Sequence, residues 1–103
     1  MEDKKIALRV DEIDNVATVF SNSVFSGDEI EVIGKQGTLG KIKVLSDIPF
    51  GHKIALLDIA AGDHIMKYGQ SIGAASQQIR KGEYVHIHNM VALRGRGDLE
   101  QEG

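Results

Sequence analysis

Short runs of alternating apolar and polar residues, separated by glycines, fill most of the chain. Ile6-Ala7-Leu8-Arg9-Val10 alternates with an apolar face of Ile6, Leu8 and Val10. Ile30-Glu31-Val32-Ile33, Leu39 to Val44, Lys53 to Leu57 and Tyr84-Val85-His86-Ile87-His88 follow the same style. A period near two in runs this short predicts strands, because successive side chains on a strand point to opposite faces. Only Ala74-Ala75-Ser76-Gln77-Gln78-Ile79-Arg80 offers room for helical turns. The pattern predicts an all-β domain of short strands with at most one short helix.

The glycines add a second regularity. The unit apolar-x-x-Gly-x-x-apolar occurs at Val24–Ile30, Ile48–Ile54, Ile59–Ile65 and Ile79–Val85. It reads as a turn whose glycine takes a positive φ, with one apolar residue entering the core before it and another starting the next strand. Pro49 suits the first corner of its turn because its φ is fixed. The residue after glycine is acidic in three copies, Asp28, Asp63 and Glu83, and is His52 in the fourth. A position that breaks a local rule is a place to look for function.

Composition narrows the classes. A chain of 103 residues makes one domain with a modest core. With 12 Lys and Arg against 15 Asp and Glu, scattered in both signs, it lacks the basic stripe that displaces phosphate counterions from nucleic acid. The absence of cysteine excludes disulfides, thiolate metal sites and cysteine nucleophiles. The start, Met1-Glu2-Asp3-Lys4-Lys5, reads as neither a signal peptide nor a membrane span, so the expected compartment is the cytoplasm. No phosphate loop, dinucleotide glycine pattern or nucleophile elbow occurs.

The chemically capable residues sit near the turns. His86 and His88 are two apart on the run after the fourth turn, with Asn89 beside them. On a strand they would share one face about 6 to 7 Å apart, close enough to share a metal or an anion, with Val85 and Ile87 on the core side. Two exposed histidines without a task would produce the same spacing. His52-Lys53 also reads as a solvated pair, His64 as a surface histidine, and Lys67-Tyr68-Gly69 as a strand end. Arg94-Gly95-Arg96-Gly97-Asp98 opens a tail without apolar periodicity, which reads as a mobile end or as a segment that docks on a carboxylate or a partner.

Taken in order, Gly51-His52-Lys53-Ile54-Ala55-Leu56, Asp58-Ile59-Ala60-Ala61-Gly62, Lys67-Tyr68-Gly69, Ile72-Gly73, Gly82 and Val85-His86-Ile87-His88-Asn89 resemble the SAF domain of the altronate and galactarate dehydratase family. The domain also occurs as the alpha subunit of sulfolactate sulfo-lyase. The resemblance runs from about Asp14 to Asn89 and implies a β-clip fold over residues 1–93, followed by a flexible tail at 94–103. It implies elimination of water, or sulfite, from a hydroxylated acid by a metal-dependent lyase using iron(II) or manganese(II). Such chemistry needs a base for the proton α to the carboxylate, stabilisation of the enolate-like intermediate and an acid for the leaving group.

On that resemblance His52, His86 and His88 are expected to act as metal ligands or proton-transfer groups. Lys53, Lys67 and Arg94 would offset the carboxylate charge, and Asn89 would orient the substrate or the imidazoles. The expected partners are a large catalytic subunit or C-terminal domain and a sugar acid such as altronate, with a 2-keto-3-deoxy acid as product and self-association also open. Neither nucleic acid nor membrane is an expected partner. Two alternatives stand beside this one: a sulfo-lyase alpha subunit, and a non-catalytic module that binds a sugar acid or completes an assembly.

Overall fold

The computed structural model describes residues 4–92. Nine strands make two sheets: β1 (Ile6–Leu8), β2 (Val16–Val19), β3 (Glu29–Gly34), β4 (Gly37–Lys43), β5 (Lys53–Ala55), β6 (His64–Lys67), β7 (Gln70–Ala75), β8 (Tyr84–Val85) and β9 (Met90–Ala92). The larger sheet runs β4-β3-β1-β2-β5-β8 and the smaller β6-β7-β9. The pairs are antiparallel except β1 with β3. The all-β expectation holds, and the helical option at Ala74–Arg80 is corrected. Ala74 and Ala75 end β7, and Ile79 instead forms a bridge with Ile59. No helix among the described residues is long and apolar enough to cross a membrane.

The four glycine turns are the scaffold. Gly27, Gly51, Gly62 and Gly82 have φ of 97°, 86°, 91° and 93°, a region that favours glycine because it has no Cβ. The turns pair as Val24 with Ile48 and Ile59 with Ile79, which gives two similar halves. Their hydrogen bonds repeat. Gly27 N–H donates to Val44 C=O as Gly62 N–H does to Ala75, and Gly51 N–H donates to Val19 C=O as Gly82 N–H does to Ala55. The apolar residues three before and three after each glycine are buried at all four turns. They feed two aliphatic cores, one around Val24, Ile30, Ile48 and Ile54, the other around Ile59, Ile65, Ile79 and Val85.

The first strand reverses the expected face. Ala7 is fully buried, whereas Ile6 and Leu8 are half-buried and Val10 is exposed. Ala7 lies opposite both Val19 and Val32, which occupy the same core, so a small side chain fits between them.

Candidate functional site

Three of the four turns close in the same way. The acidic residue after the glycine accepts a hydrogen bond from the backbone N–H three residues earlier: Phe25 to Asp28 at 2.8 Å, Ala60 to Asp63 at 3.3 Å and Arg80 to Glu83 at 2.7 Å. In the remaining turn the donor position is Pro49, which has no N–H. An acid at position 52 would have no backbone donor to accept, so that position is released from capping. It carries His52, which turns to another task.

His52 meets Tyr84. A hydrogen bond of 2.8 Å joins the Tyr84 hydroxyl to His52 Nδ1, and the ring centroids lie 5.5 Å apart. Tyr84 stacks on His86 at 5.7 Å with an interplanar angle of 7°, and its centroid is 5.2 Å from that of His88. His52 and His86 approach edge to face at 4.8 Å. Imidazoles from two different turns therefore converge, with Tyr84 as the residue common to all three. Composition and alternation do not single out Tyr84, although its two-residue spacing from His86 is a usable signal.

The route by which His86 and His88 arrive differs from the expected strand. The strand stops at Val85, and residues 86–89 form a bend and turn. Ile87, expected on the core side, is 75% exposed. Asn89 makes that turn. Its Oδ1 accepts from His86 N–H at 3.0 Å, its Nδ2 donates to Tyr84 C=O at 2.9 Å, and it is buried. A side chain that satisfies local backbone groups competes with the sheet ladder, which is why the strand ends there. Asn89→Ala should leave the His86 N–H without this partner and open the turn. The expected cost is about 1 to 3 kcal/mol in chemical denaturation, with large chemical-shift changes at His86 and His88. Unmoved histidine resonances would show that the turn holds without Asn89.

Lys53 lies opposite Val85 in the register of β5 and β8, one residue from His86. Burial, and then the charge of Lys67, hold the Lys53 ammonium below its ordinary pKa. Burial, followed by Lys53, His52 and His88, pushes the His86 imidazole down in the same way. Among the described residues the ion pairs are Lys4 with Glu31 and Lys5 with Asp28, so no carboxylate neutralises Lys53 or Lys67. The His86 Nδ1 is itself buried, with no hydrogen-bond partner among the described residues.

Lys67 is delivered by the β6–β7 hairpin, whose Tyr68 has a φ of 57°. Asp14, buried, accepts from Tyr68 N–H at 3.0 Å, Gly69 N–H at 2.8 Å and Asp11 N–H at 2.9 Å. Asn15 donates to His64 C=O and accepts from Met66 N–H. Asp14 and Asn15 thus tie the hairpin to the main sheet. His64 is exposed and bonds Ser71 Oγ at 2.6 Å. Arg94, and with it the tail, lies outside the described residues.

A divalent metal was expected on His52, His86 and His88. Among the described residues, however, no three His, Asp or Glu side chains are placed to share one ion. The surroundings are also unfavourable to a cation, since the charges that act on His86 are those of Lys53 and its fellow histidines. The donor set does not fit a metal held by these residues alone. It fits an anion, for which lysine and imidazole N–H groups are the ordinary partners.

Beside the cluster the surface is apolar. All three phenylalanines are exposed. Phe20 and Phe50 lie 5.6 Å apart, and Phe25, Pro49 and Tyr84 line a shallow cavity of about 260 Å³.

Comparison with known proteins shows the family. The altronate/galactarate dehydratase SAF domain profile matches residues 5–93. The chain is 37% identical over 83 residues to the (2R)-sulfolactate sulfo-lyase subunit alpha of Chromohalobacter salexigens, covering 79% of this chain and 87% of that protein. It is 39% identical to the altronate dehydratase of Bacillus subtilis over 82% of this chain and 16% of that protein. To the galactarate dehydratase (L-threo-forming) of Escherichia coli it is 34% identical, over 84% of this chain and 15% of that protein. The chain therefore spans most of one relative and about a sixth of the dehydratases, and it belongs to the altronate/galactarate dehydratase SAF domain family.

Proposed function

We propose that the chain serves a hydro-lyase that dehydrates a sugar acid such as altronate to a 2-keto-3-deoxy acid. Its part is to supply the imidazole and lysine cluster that receives the substrate carboxylate. The observation that carries this reading is the convergence of His52, His86 and His88 on Tyr84, near Lys53 and Lys67, which have no carboxylate partner among the described residues. Lys53 and Lys67 offset the substrate charge, while the imidazoles donate hydrogen bonds and move protons during elimination. Asn89 holds the turn that presents His86 and His88.

The rest of the catalytic centre belongs to a larger subunit or domain. In support, the matched region is 15 to 17% of the dehydratase relatives, and another relative is named as a subunit alpha. Exposed Phe20, Phe25 and Phe50 offer that larger part apolar surface, with Phe25 lining a cavity shared with Tyr84. Iron(II) or manganese(II), if used, draws its ligands chiefly from there.

The test combines the chain with a dehydratase large part that lacks this region and follows 2-keto-3-deoxy acid formation from altronate. Activity should depend on the chain and fall by about 10²- to 10⁴-fold in His52→Ala or His86→Ala, the range for losing a proton-transfer group. Substrate affinity should rise as pH falls through the pKa of His86, which lies below its ordinary value, because only the protonated ring adds a positive charge for the carboxylate. Undiminished activity in both variants would sink the reading. A second reading, sulfite elimination from sulfolactate, is supported by the 37% identity to the subunit alpha relative. Sulfite release from sulfolactate without turnover of altronate would select it.

A further inference from the structure

The Tyr84 to His52 hydrogen bond decides what His52 can offer. A neutral imidazole has one N–H and one lone pair, and the hydrogen bond made by one nitrogen sets the state of the other. Among the described residues the Tyr84 hydroxyl has one hydrogen-bond partner, His52 Nδ1 at 2.8 Å. A phenol is the better donor of the two groups and an imidazole nitrogen the better acceptor. If Nδ1–H were the donor instead, the phenolic proton would have no acceptor among those residues. The ring of Tyr84 is also stacked on His86 and lies against His88, so its hydroxyl is held in place by packing.

We propose that Tyr84 is the positioning residue of this site. It donates its hydroxyl proton to His52 Nδ1 and so fixes the His52 proton on Nε2. His52 then enters the site as a hydrogen-bond donor to an anion and not as a metal ligand, which would need the Nε2 lone pair. That role agrees with the lack of a metal-binding group of three among the described residues and with Lys53 beside His86, itself next to Lys67. What the donor is used for rests on the carboxylate reading above; the tautomer itself does not.

The test is a ¹⁵N–¹H long-range correlation spectrum of the histidine rings in the chain at a pH where His52 is neutral. His52 should show a pyrrole-like Nε2 and a pyridine-like Nδ1. In Tyr84→Phe, which keeps the stacking ring, the two His52 nitrogens should move toward each other as both tautomers become populated, while His86 and His88 keep their shifts. A pyrrole-like Nδ1 in the unmodified chain, or a tautomer unchanged in Tyr84→Phe, overturns the inference. Added altronate separates the two claims. Perturbation of His52 Nε2–H that weakens roughly ten-fold in Tyr84→Phe, the effect of one hydrogen bond to a charged group, supports both. An intact tautomer without any response to altronate supports the role of Tyr84 and counts against the sugar acid.

Discussion

Gly82→Ala is expected to destabilise the domain far more than Gly51→Ala, although the two glycines occupy equivalent turns with nearly the same φ. At Gly51 an added Cβ would meet nothing within 4 Å, so the cost is the left-handed backbone alone, about 1 to 2 kcal/mol. At Gly82 the Cβ would stand 2.2 Å from the carbonyl oxygen of Lys43 and 3.3 Å from Leu45 Cγ. The first of these is backbone and has no rotamer to move away. The turn or the end of β4 must shift, breaking hydrogen bonds such as the 2.9 Å one from Leu45 N–H to Gly82 C=O, and the loss should exceed about 3 kcal/mol. In thermal unfolding this corresponds to roughly 5 to 15 °C for Gly51→Ala and more than about 15 °C for Gly82→Ala. Equal melting temperatures would show that the close approach at Gly82 relaxes without cost. Because Tyr84 follows two residues later, Gly82→Ala should also disturb the His52 contact.

The second large effect is expected at Asp14. One buried carboxylate holds three backbone N–H groups, two of them in the hairpin that carries Lys67. Asp14→Ala removes a charged acceptor from all three and should cost about 3 kcal/mol or more. Asp14→Asn retains one acceptor oxygen and should fall between the two. Hydrogen exchange should localise the damage, with Tyr68 and Gly69 losing protection before the core strands do. A uniform loss across the domain would mean that Asp14 acts on global stability and not on the hairpin. If Lys67 serves the carboxylate site, Asp14→Ala should weaken substrate binding in the reconstituted enzyme at a temperature where the fold persists.

These two positions show how differently parts of the chain could be read. Ile48-x-x-Gly51-x-x-Ile54 and its three counterparts were legible because their requirements are local: a positive φ needs glycine, and each turn needs an apolar residue on either side. The odd residue among the four, His52, stood out for the same reason. Tyr84 was not legible because an aromatic in a strand is ordinary by composition, and only its neighbours across the fold give it a role. Asp14 carried no signal of its tie to the hairpin either, since two of its three backbone partners, Tyr68 and Gly69, are more than fifty residues away. The faces of β1 and of residues 84–88 were misassigned where Ala7 had to fit between two valines and where Asn89 drew the backbone out of the ladder.

By itself the amino-acid order determined an all-β chain with four glycine turns, the apolar residues that flank them and a family likeness carried by its motifs. Only the tertiary structure decided that the second turn brings His52 to Tyr84, that His86 and His88 leave the strand on an asparagine-braced turn, and that Lys53, without a carboxylate partner among the described residues, stands beside them. The physical reason is range. Turn chemistry and alternation act within a few residues, whereas the meeting of side chains from separate turns depends on how two halves of a sheet are registered against each other.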